Sequence, residues 1–288
     1  MNVKLRDSPL TYTSCPTYLG VKLDRQLTFN QHLTALCAKI SARNCLLRRL
    51  AGCNWGAGAT TLRTSALALV FSAAEYAAPV WCNSRHSNKV DTAINETLRI
   101  ITGCLRPTKA EYLPVLAGIM PADLRRLEAA RFLALKATAQ ENHLLHQKMD
   151  CLQNPPKHRL KSRRPFTSLA NKLSINHFNP LVTWRQRWDS VTKAPWANML
   201  AEAKVPPEAH LPRKEWVTLN RIKAGVGRNR QHMKKWGLSP SAKCDCSAAS
   251  QTMEYLMTEC DLHQPPTNLE DLSNRAFLEW LGRMSDID

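Results

Sequence analysis

The sequence predicts a mainly α-helical protein, in which a helical bundle lies behind a short N-terminal β-hairpin and a second, small, cysteine-containing helical domain forms the C-terminal end. Three observations predict this class. Apolar residues recur at helical spacing through residues 30–147, hydrophobic residues make up 44% of the chain, and alternating apolar and polar residues are confined to residues 1–29. The expected units are 1–29, 30–150, 151–210 and 211–288.

The first unit is predicted to contain short strands. Val3 and Leu5 alternate with polar neighbours, and residues 18–23 (YLGVKL) supply a second extended run. Asn30 is expected to cap the first helix, which Gly52 ends.

Three further helices are expected before residue 150. Each combines an apolar stripe with a residue type that favours a helix end, such as serine or threonine at the start, proline in the first turn and glycine after the last turn. The predicted bounds are, in chain order, Thr60 or Thr61 to Pro79, Ser87 to Gly103, and Pro121 to about His146.

The composition changes after residue 150. Residues 151–165 contain three prolines and five Lys or Arg without an apolar period, which is typical of a linker or an exposed basic arm. Helical, tryptophan-containing sequence follows and is interrupted at residues 206–207, both prolines. A basic helical stretch then leads into a cysteine segment. A final amphipathic helix is expected to place on one stripe Leu269, Leu272, Ala276 and Trp280.

The net charge favours a polyanionic partner. The chain has 40 Lys and Arg against 23 Asp and Glu, a net charge of +17. Neutralising phosphates with such cations releases condensed counterions, which favours nucleic acid. The alternative is a basic surface with no such partner.

The sequence gives no indication of secretion or of a membrane span. The N-terminus lacks the apolar region of a signal peptide, and the most apolar run, residues 65–80, is shorter than the roughly 20 residues of a membrane helix and contains Glu75. The ten cysteines are scattered and do not form a compact framework. We therefore expect an intracellular protein with reduced thiols and no membrane partner.

Two basic stretches are candidate nucleic-acid contacts. Residues 213–235 contain eight Lys or Arg against one acid and are framed by Trp216 and Trp236. Cations beside aromatic rings can follow a phosphate backbone and stack bases, as suits single strands and structured RNA. For each tryptophan the alternative is a core position. The candidate contacts are Lys157, Arg159, Lys161, Arg163, Arg164, Arg221, Lys223, Arg228, Arg230, Lys234 and Lys235.

A segment near the C-terminus, CDCSAASQTMEYLMTEC, is the candidate metal site. Structural zinc takes four Cys or His ligands, commonly with two at C-x₂₋₄-C spacing, and Cys244-x-Cys246 is one residue tighter. Tyr255 lies on an expected short helix and is a poor ligand, so His263 is the candidate substitute. Spacing alone supports zinc and a metal-free turn packed by its cysteines equally. The candidate ligands are Cys244, Cys246, Cys260 and His263.

The sequence contains no catalytic signature. Phosphate-binding loops, nucleophile elbows and HExxH motifs are missing, and the acidic residues are dispersed without an Asp-Asp pair. Catalytic magnesium needs clustered carboxylates. We therefore expect no magnesium site and no enzyme activity in this chain alone.

Several short blocks match one known family in order. The first is YLGVKLD at 18–24, followed by LTF at 27–29 and HL at 32–33. The others are YAAPVW at 76–81, LRIITG at 98–103, GIMP at 118–121, LNRIKAG at 219–225, KWGL at 235–238 and the cysteine segment. Together these blocks resemble the region that follows the polymerase core in non-LTR (jockey-like) retrotransposon reverse transcriptases.

The resemblance implies roles for several residues. Tyr18, Leu19 and Gly20 would be the primer grip, and the helices between 30 and 150 would form the thumb, which holds the template–primer duplex. The family's catalytic palm, with its Asp-Asp motif, would lie upstream of the first residue. A histidine usually stands in the family where this chain has Tyr255, so the cysteine segment would be a degenerate zinc knuckle.

The implied partners are RNA, RNA–DNA hybrid or DNA duplex, together with the N-terminal polymerase region of the parent element. The resemblance also implies a nuclear location at some stage, because such elements copy into chromosomal DNA. The resemblance therefore implies a nucleic-acid-binding C-terminal portion of an RNA-directed DNA polymerase. The alternative is a domesticated or decayed helical scaffold that binds protein.

Overall fold

A computed structural model describes residues 4–5, 8–9, 12–147, 166, 178–193, 199–263, 265 and 275–287. Its strands form two short antiparallel hairpins near the N-terminus. Strand β1 (Lys4–Leu5) pairs with β2 (Ser8–Pro9), and β3 (Thr17–Tyr18) pairs with β4 (Val21–Lys22). The rest of the described chain is mainly helical, which confirms the predicted fold class.

The helices of the described residues lie in two groups along the chain. The N-terminal group is α1 (Asn30–Leu50), α2 (Ala59–Ala66), α3 (Ser72–Ala74), α4 (Ala78–Trp81), α5 (Asn88–Thr102), α6 (Tyr112–Ala117) and α7 (Ala122–Ala139). The C-terminal group is α8 (Pro180–Asp189), α9 (Arg213–Lys223), α10 (Arg230–Lys235), α11 (Met253–Thr258) and α12 (Arg275–Ile287). A π-helical turn (Leu67–Phe71) joins α2 to α3, and a 3₁₀ turn (Pro207–His210) precedes α9.

The N-terminal helices share one core. Leu33, Ile40 and Leu47 of α1 are completely buried and recur at the helical period, so one face of α1 packs against α5. A buried hydrogen bond from the Thr97 hydroxyl of α5 to the Asn44 side chain of α1 (2.8 Å) fixes the two helices relative to each other. Within the described ranges, no helix has the length and apolar character needed to cross a lipid bilayer.

Several helix boundaries differ from the predicted ones. Asn30 is the first residue of α1 and not its cap, because its side-chain oxygen accepts a hydrogen bond from Lys89 (2.8 Å). The helix expected to reach Pro79 breaks earlier, and Pro79 lies in the first turn of α4, where its missing N–H costs no hydrogen bond. Helix α7 ends at Ala139, seven residues before His146, because the backbone of Gln140 is extended.

Helices α9, α11 and α12 pack around a second core, whereas α8 joins the first core through Trp184 and Trp188. Trp216 of α9, Leu256 of α11 and Phe277 of α12 are buried in it. The stripe of α12 is shifted by one residue from the predicted one, because Ala276 is exposed whereas Phe277 is buried. Trp280 is buried as expected, and Leu269 and Leu272 lie outside the described residues.

Helix α9 is attached to the bundle at the C-terminal end of α5. Helix α5 ends at Gly103 in the left-handed conformation (φ 74°), which leaves the last backbone carbonyls of the helix without helical partners. Side chains of α9 donate to these carbonyls from buried positions. The bonds are Arg213 to Ile100 (2.7 Å) and Ile101 (2.6 Å), Trp216 to Ile101 (3.0 Å), Asn220 to Thr102 (3.1 Å) and Arg221 to Gly103 (3.0 Å).

Candidate nucleic-acid interface and metal centre

The tip of the β3–β4 hairpin presents two exposed apolar side chains. Leu19 and Gly20 both have positive φ (46° and 79°), which gives the tight two-residue turn that suits a twisted hairpin. Tyr18 and Leu19 are 68% and 74% exposed. The left-handed conformation costs a leucine about 1–2 kcal/mol, so the turn needs support from its surroundings.

Tyr76, from the segment between α3 and α4, supplies that support. Its hydroxyl donates to the carbonyl of Leu19 (2.8 Å). A Cβ on Gly20 would lie 3.3 Å from the ring of Tyr76, so glycine allows the close approach of this ring. The hairpin tip is therefore held at a defined place on the bundle. Its predicted role as a primer grip remains a prediction, and the supporting role of Tyr76 is not readable from the sequence.

The structure distributes the predicted basic contacts among different environments. The five between 157 and 164 lie outside the described residues. Arg221 is buried, and its guanidinium is engaged at the end of α5. Because this guanidinium is buried and donates to a backbone carbonyl, it is not available to a phosphate in solution. The prediction that Arg221 contacts nucleic acid is therefore wrong.

Two of the other basic residues form ion pairs. Lys223 pairs with Glu208, and both side chains are largely buried. Arg230 is more exposed and contacts Asp245 (2.5 Å) and the carbonyl of Lys243 (3.1 Å). We call the exposed members of the predicted set the basic surface: Arg228, Lys234 and Lys235.

The two framing tryptophans have opposite roles. Trp216 is 1% exposed and belongs to the second core, so it cannot stack on a base. Trp236 follows α10 directly and is 36% exposed. Its ring is stacked on that of His232, with centroids 5.5 Å apart and an interplanar angle of 17°.

Three of the candidate metal ligands converge. The ligand atoms of Cys244, Cys260 and His263 all lie within 4.8 Å of one another. The sulfurs of Cys244 and Cys260 are 3.7 Å apart. Two thiolates on one tetrahedral zinc, each about 2.3 Å from the metal, would be separated by about 3.8 Å.

His263 provides the second indication of a metal site. Its Nε2 atom is buried and has no hydrogen-bond partner among the described residues. A buried polar atom without a partner costs about 1–3 kcal/mol, so such atoms are rare in folded proteins. The backbone of His263 is fixed, because its carbonyl accepts from Trp280 (2.7 Å) and its N–H donates to Cys260 (2.9 Å). The donor set and geometry fit a metal ion, and zinc suits two thiolates and an imidazole.

Cys246 lies beside this group and contacts Tyr255, with 3.0 Å between sulfur and hydroxyl oxygen. The hydrogen bond from Tyr255 lowers the pKa of Cys246 to about 7, and the same bond raises the pKa of Tyr255. Burial raises the pKa of Cys260 to about 11. Tyr255 therefore stabilises the thiolate of Cys246, which is the form that binds metal.

Gln251 connects the cysteine segment to α10. It is completely buried, and its amide nitrogen donates to the sulfur of Cys244 (3.5 Å). Its side-chain oxygen accepts from the backbone N–H of Arg230 (2.9 Å), the first residue of α10. The cysteine segment therefore sets the position of the helix that carries Lys234 and Lys235. This connecting role of Gln251 is not readable from the sequence, because the motif spacing assigns no contact to residues between the ligands.

Comparisons with known proteins identify homologues along most of the chain. A Pol polyprotein of type-1 retrotransposable element R1 2 from Nasonia vitripennis is 24% identical over 91% of this chain. An R1 Pol polyprotein from Bradysia coprophila is 23% identical over 99% of it, and one of element R1 4 from Nasonia vitripennis is 22% identical over 90%. The matches span 62%, 28% and 64% of these relatives. No family model and no solved structure matches the chain.

Proposed function

We propose that this chain, a homologue of the Pol polyproteins of R1 non-LTR retrotransposons, is a portion of such a polyprotein that binds nucleic acid, either RNA or an RNA–DNA template–primer, without polymerising by itself. The observation that carries the proposal is the extent of the homology, since relatives named as Pol polyproteins align with 90–99% of the chain. The net charge of +17 supports the same conclusion.

The parts of the site have separate roles in this proposal. The hairpin tip, with Tyr18, Leu19 and Gly20, contacts the primer end, and the bundle that follows holds the duplex through its phosphates. The basic surface adds phosphate contacts at the C-terminal end. Clustered carboxylates able to hold two magnesium ions are missing from the sequence, so nucleotide addition requires the polymerase region of the parent element.

We expect the affinity for RNA–DNA duplex to fall steeply with salt. Four or more phosphate contacts would give a slope of log Kd against log salt concentration of about 3 or more, because each contact releases close to one counterion. Fluorescence anisotropy with a labelled template–primer at several salt concentrations measures this slope, and polyglutamate serves as a non-nucleic polyanion. If polyglutamate displaces the template–primer as well as unlabelled template–primer does, the binding reflects positive charge alone and is not specific for nucleic acid.

A primer-extension assay on the same sample completes the test. No nucleotide incorporation is expected from the chain alone. Retention of protein partners after nuclease treatment, with no affinity for template–primer, would support a protein-binding scaffold and contradict the proposal.

We further propose that zinc is bound by Cys244, Cys246, Cys260 and His263. The metal would join the Cys244–Cys246 turn to the end of α11 and to the residues after it, a structural role in a small core. His263 would replace the ligand that Tyr255 does not provide, and the Tyr255 hydroxyl would instead donate to the Cys246 thiolate. Such outer hydrogen bonds orient ligands and raise metal affinity.

The purified chain is expected to contain one zinc per molecule, and His263→Ala to lose most of it. Tyr255→Phe should still bind zinc, but with roughly 10- to 100-fold lower affinity, because only the outer hydrogen bond is lost. A lower chelator concentration would then remove the metal. Metal analysis and chelator competition measure both. His210→Ala is the matched control, since His210 is exposed and lies outside the cluster. Full zinc retention by His263→Ala would exclude His263 as a ligand.

A further inference from the structure

The residue after α10 exposes an aromatic ring on a rigid support. Among the tryptophans that the structure describes, Trp55 and Trp236 reach solvent and the others are buried. Trp236 stacks on His232 four residues earlier, the spacing at which side chains of a helix meet. One face of the Trp236 ring is therefore covered by protein, while 36% of the residue stays exposed.

The His232 ring is itself fixed. Its Nδ1 lies 2.9 Å from the carbonyl oxygen of Gly227 and donates to it, and its backbone N–H donates to the side chain of Asn229 (2.9 Å). Asn229 caps α10 in this way. A ring stacked on an anchored imidazole loses little further freedom when a ligand covers its outer face.

The surroundings of Trp236 carry positive charge. Lys234 and Lys235 precede it and are exposed, and no acidic residue occurs between 228 and 238. Lys223 and Arg230 of the same part of the fold are paired with carboxylates, whereas no ion pair engages Lys234 or Lys235 within the described ranges. A Cβ on Gly237 would meet nothing within 4 Å apart from its chain neighbours, so the residue directly after Trp236 lies in open space.

We propose that Trp236, supported by His232, is a stacking platform for an unpaired base of single-stranded nucleic acid, with Lys234 and Lys235 at the adjoining phosphates. The inference rests on the proposed function and adds that the surface around Trp236 binds single-stranded nucleic acid. A single strand is favoured over a duplex, because the faces of paired bases are covered by their neighbours and only an unpaired base can lie on a tryptophan. The neighbouring cations match the charge of its backbone.

The test measures binding of the full chain to a labelled single strand of about 12 nucleotides, a length within the site sizes of single-strand binders. Trp236→Ala is expected to weaken binding by roughly 5- to 160-fold, which corresponds to about 1–3 kcal/mol for one stacked base. Trp236→Phe should restore most of it. Trp55→Ala, the matched exposed tryptophan, should have no effect.

The lysines are tested by charge-matched pairs. Lys234→Gln with Lys235→Gln should lower the salt slope for the single strand by about 1.4, which is two contacts at about 0.7 each. Lys109→Gln with Lys136→Gln removes the same charge from exposed positions of the bundle, which the proposed function assigns to the duplex, and should leave the slope for the single strand unchanged.

An oligonucleotide series tests the platform without altering the protein. Each oligonucleotide of the series lacks one base. Removing the base that stacks on Trp236 should weaken binding to the wild type but should not change binding to the Trp236→Ala variant. Equal loss in both proteins would overturn the platform. Duplex binding that is unaffected by Trp236→Ala is also expected. Binding to duplex with no contribution of Trp236 to single strands would refute this inference alone, whereas no binding to either would also refute the proposed function.

Discussion

Gly103→Ala is expected to destabilise the protein by about 2–5 kcal/mol, a large part of the 5–15 kcal/mol that holds a typical domain folded. Two costs add. Alanine in the left-handed conformation of residue 103 costs about 1–2 kcal/mol, and overpacking a buried contact costs about 1–3 kcal/mol. The added Cβ would lie 2.2 Å from a methyl group of Val217, so α9 would have to move away from α5.

Urea denaturation followed by circular dichroism measures this loss, and the chain provides a matched control. Gly237 has the same φ of 74° but open space around its Cβ, so Gly237→Ala should cost only the conformational part, about 1–2 kcal/mol. Val217→Ala placed in the Gly103→Ala protein should recover part of the stability, because it removes the clashing methyl groups. Equal effects of the two glycine substitutions would show that the contact with Val217 carries no weight.

Arg213→Met is expected to lower the free energy of unfolding by about 2–4 kcal/mol. The substitution keeps an unbranched apolar stem but removes the guanidinium donors to the carbonyls of Gly52, Ile100 and Ile101. Trp216 still donates to the carbonyl of Ile101, so the carbonyls of Gly52 and Ile100 lose their partner. Leaving a buried carbonyl without a partner costs about 1–3 kcal/mol. The gain from no longer burying a charge offsets part of this cost.

The same denaturation experiment checks this prediction against a surface arginine. Arg48 pairs with Glu96 across α1 and α5, but its side chain is 50% exposed, so Arg48→Met should change stability by less than about 1 kcal/mol. Binding to template–primer should be little affected by Arg213→Met at temperatures where the protein stays folded. A loss of affinity without a loss of stability would place Arg213 at the surface and contradict the buried cap.

The sequence allowed the helical architecture to be predicted, because period and end signals are local. The stripe of α5 and its end at Gly103 were correctly predicted from apolar spacing and one glycine. The start of α1 was not, because the side chain of Asn30 is used by Lys89 from another helix. Such competition between local and distant partners leaves no trace in the local pattern.

The candidate site was predictable in its chemistry but not in its exposure. Arg221 and Lys235 belong to the same basic stretch, yet one caps a helix inside the protein and the other faces solvent. Trp216 and Trp236 differ in the same way. The position of His263 beside the thiols agrees with its choice as a candidate ligand, since it lies three residues after Cys260, within one helical turn's distance. Burial depends on which elements meet, and spacing in one segment does not encode it.

The cap that α9 places on α5 has a consequence for cooperativity. A helix end whose carbonyls are satisfied by side chains more than a hundred residues later cannot be complete until both segments have folded. The two cores should therefore melt in a single transition. A chain cut between them would yield two halves that are each unstable alone and that complement one another when mixed.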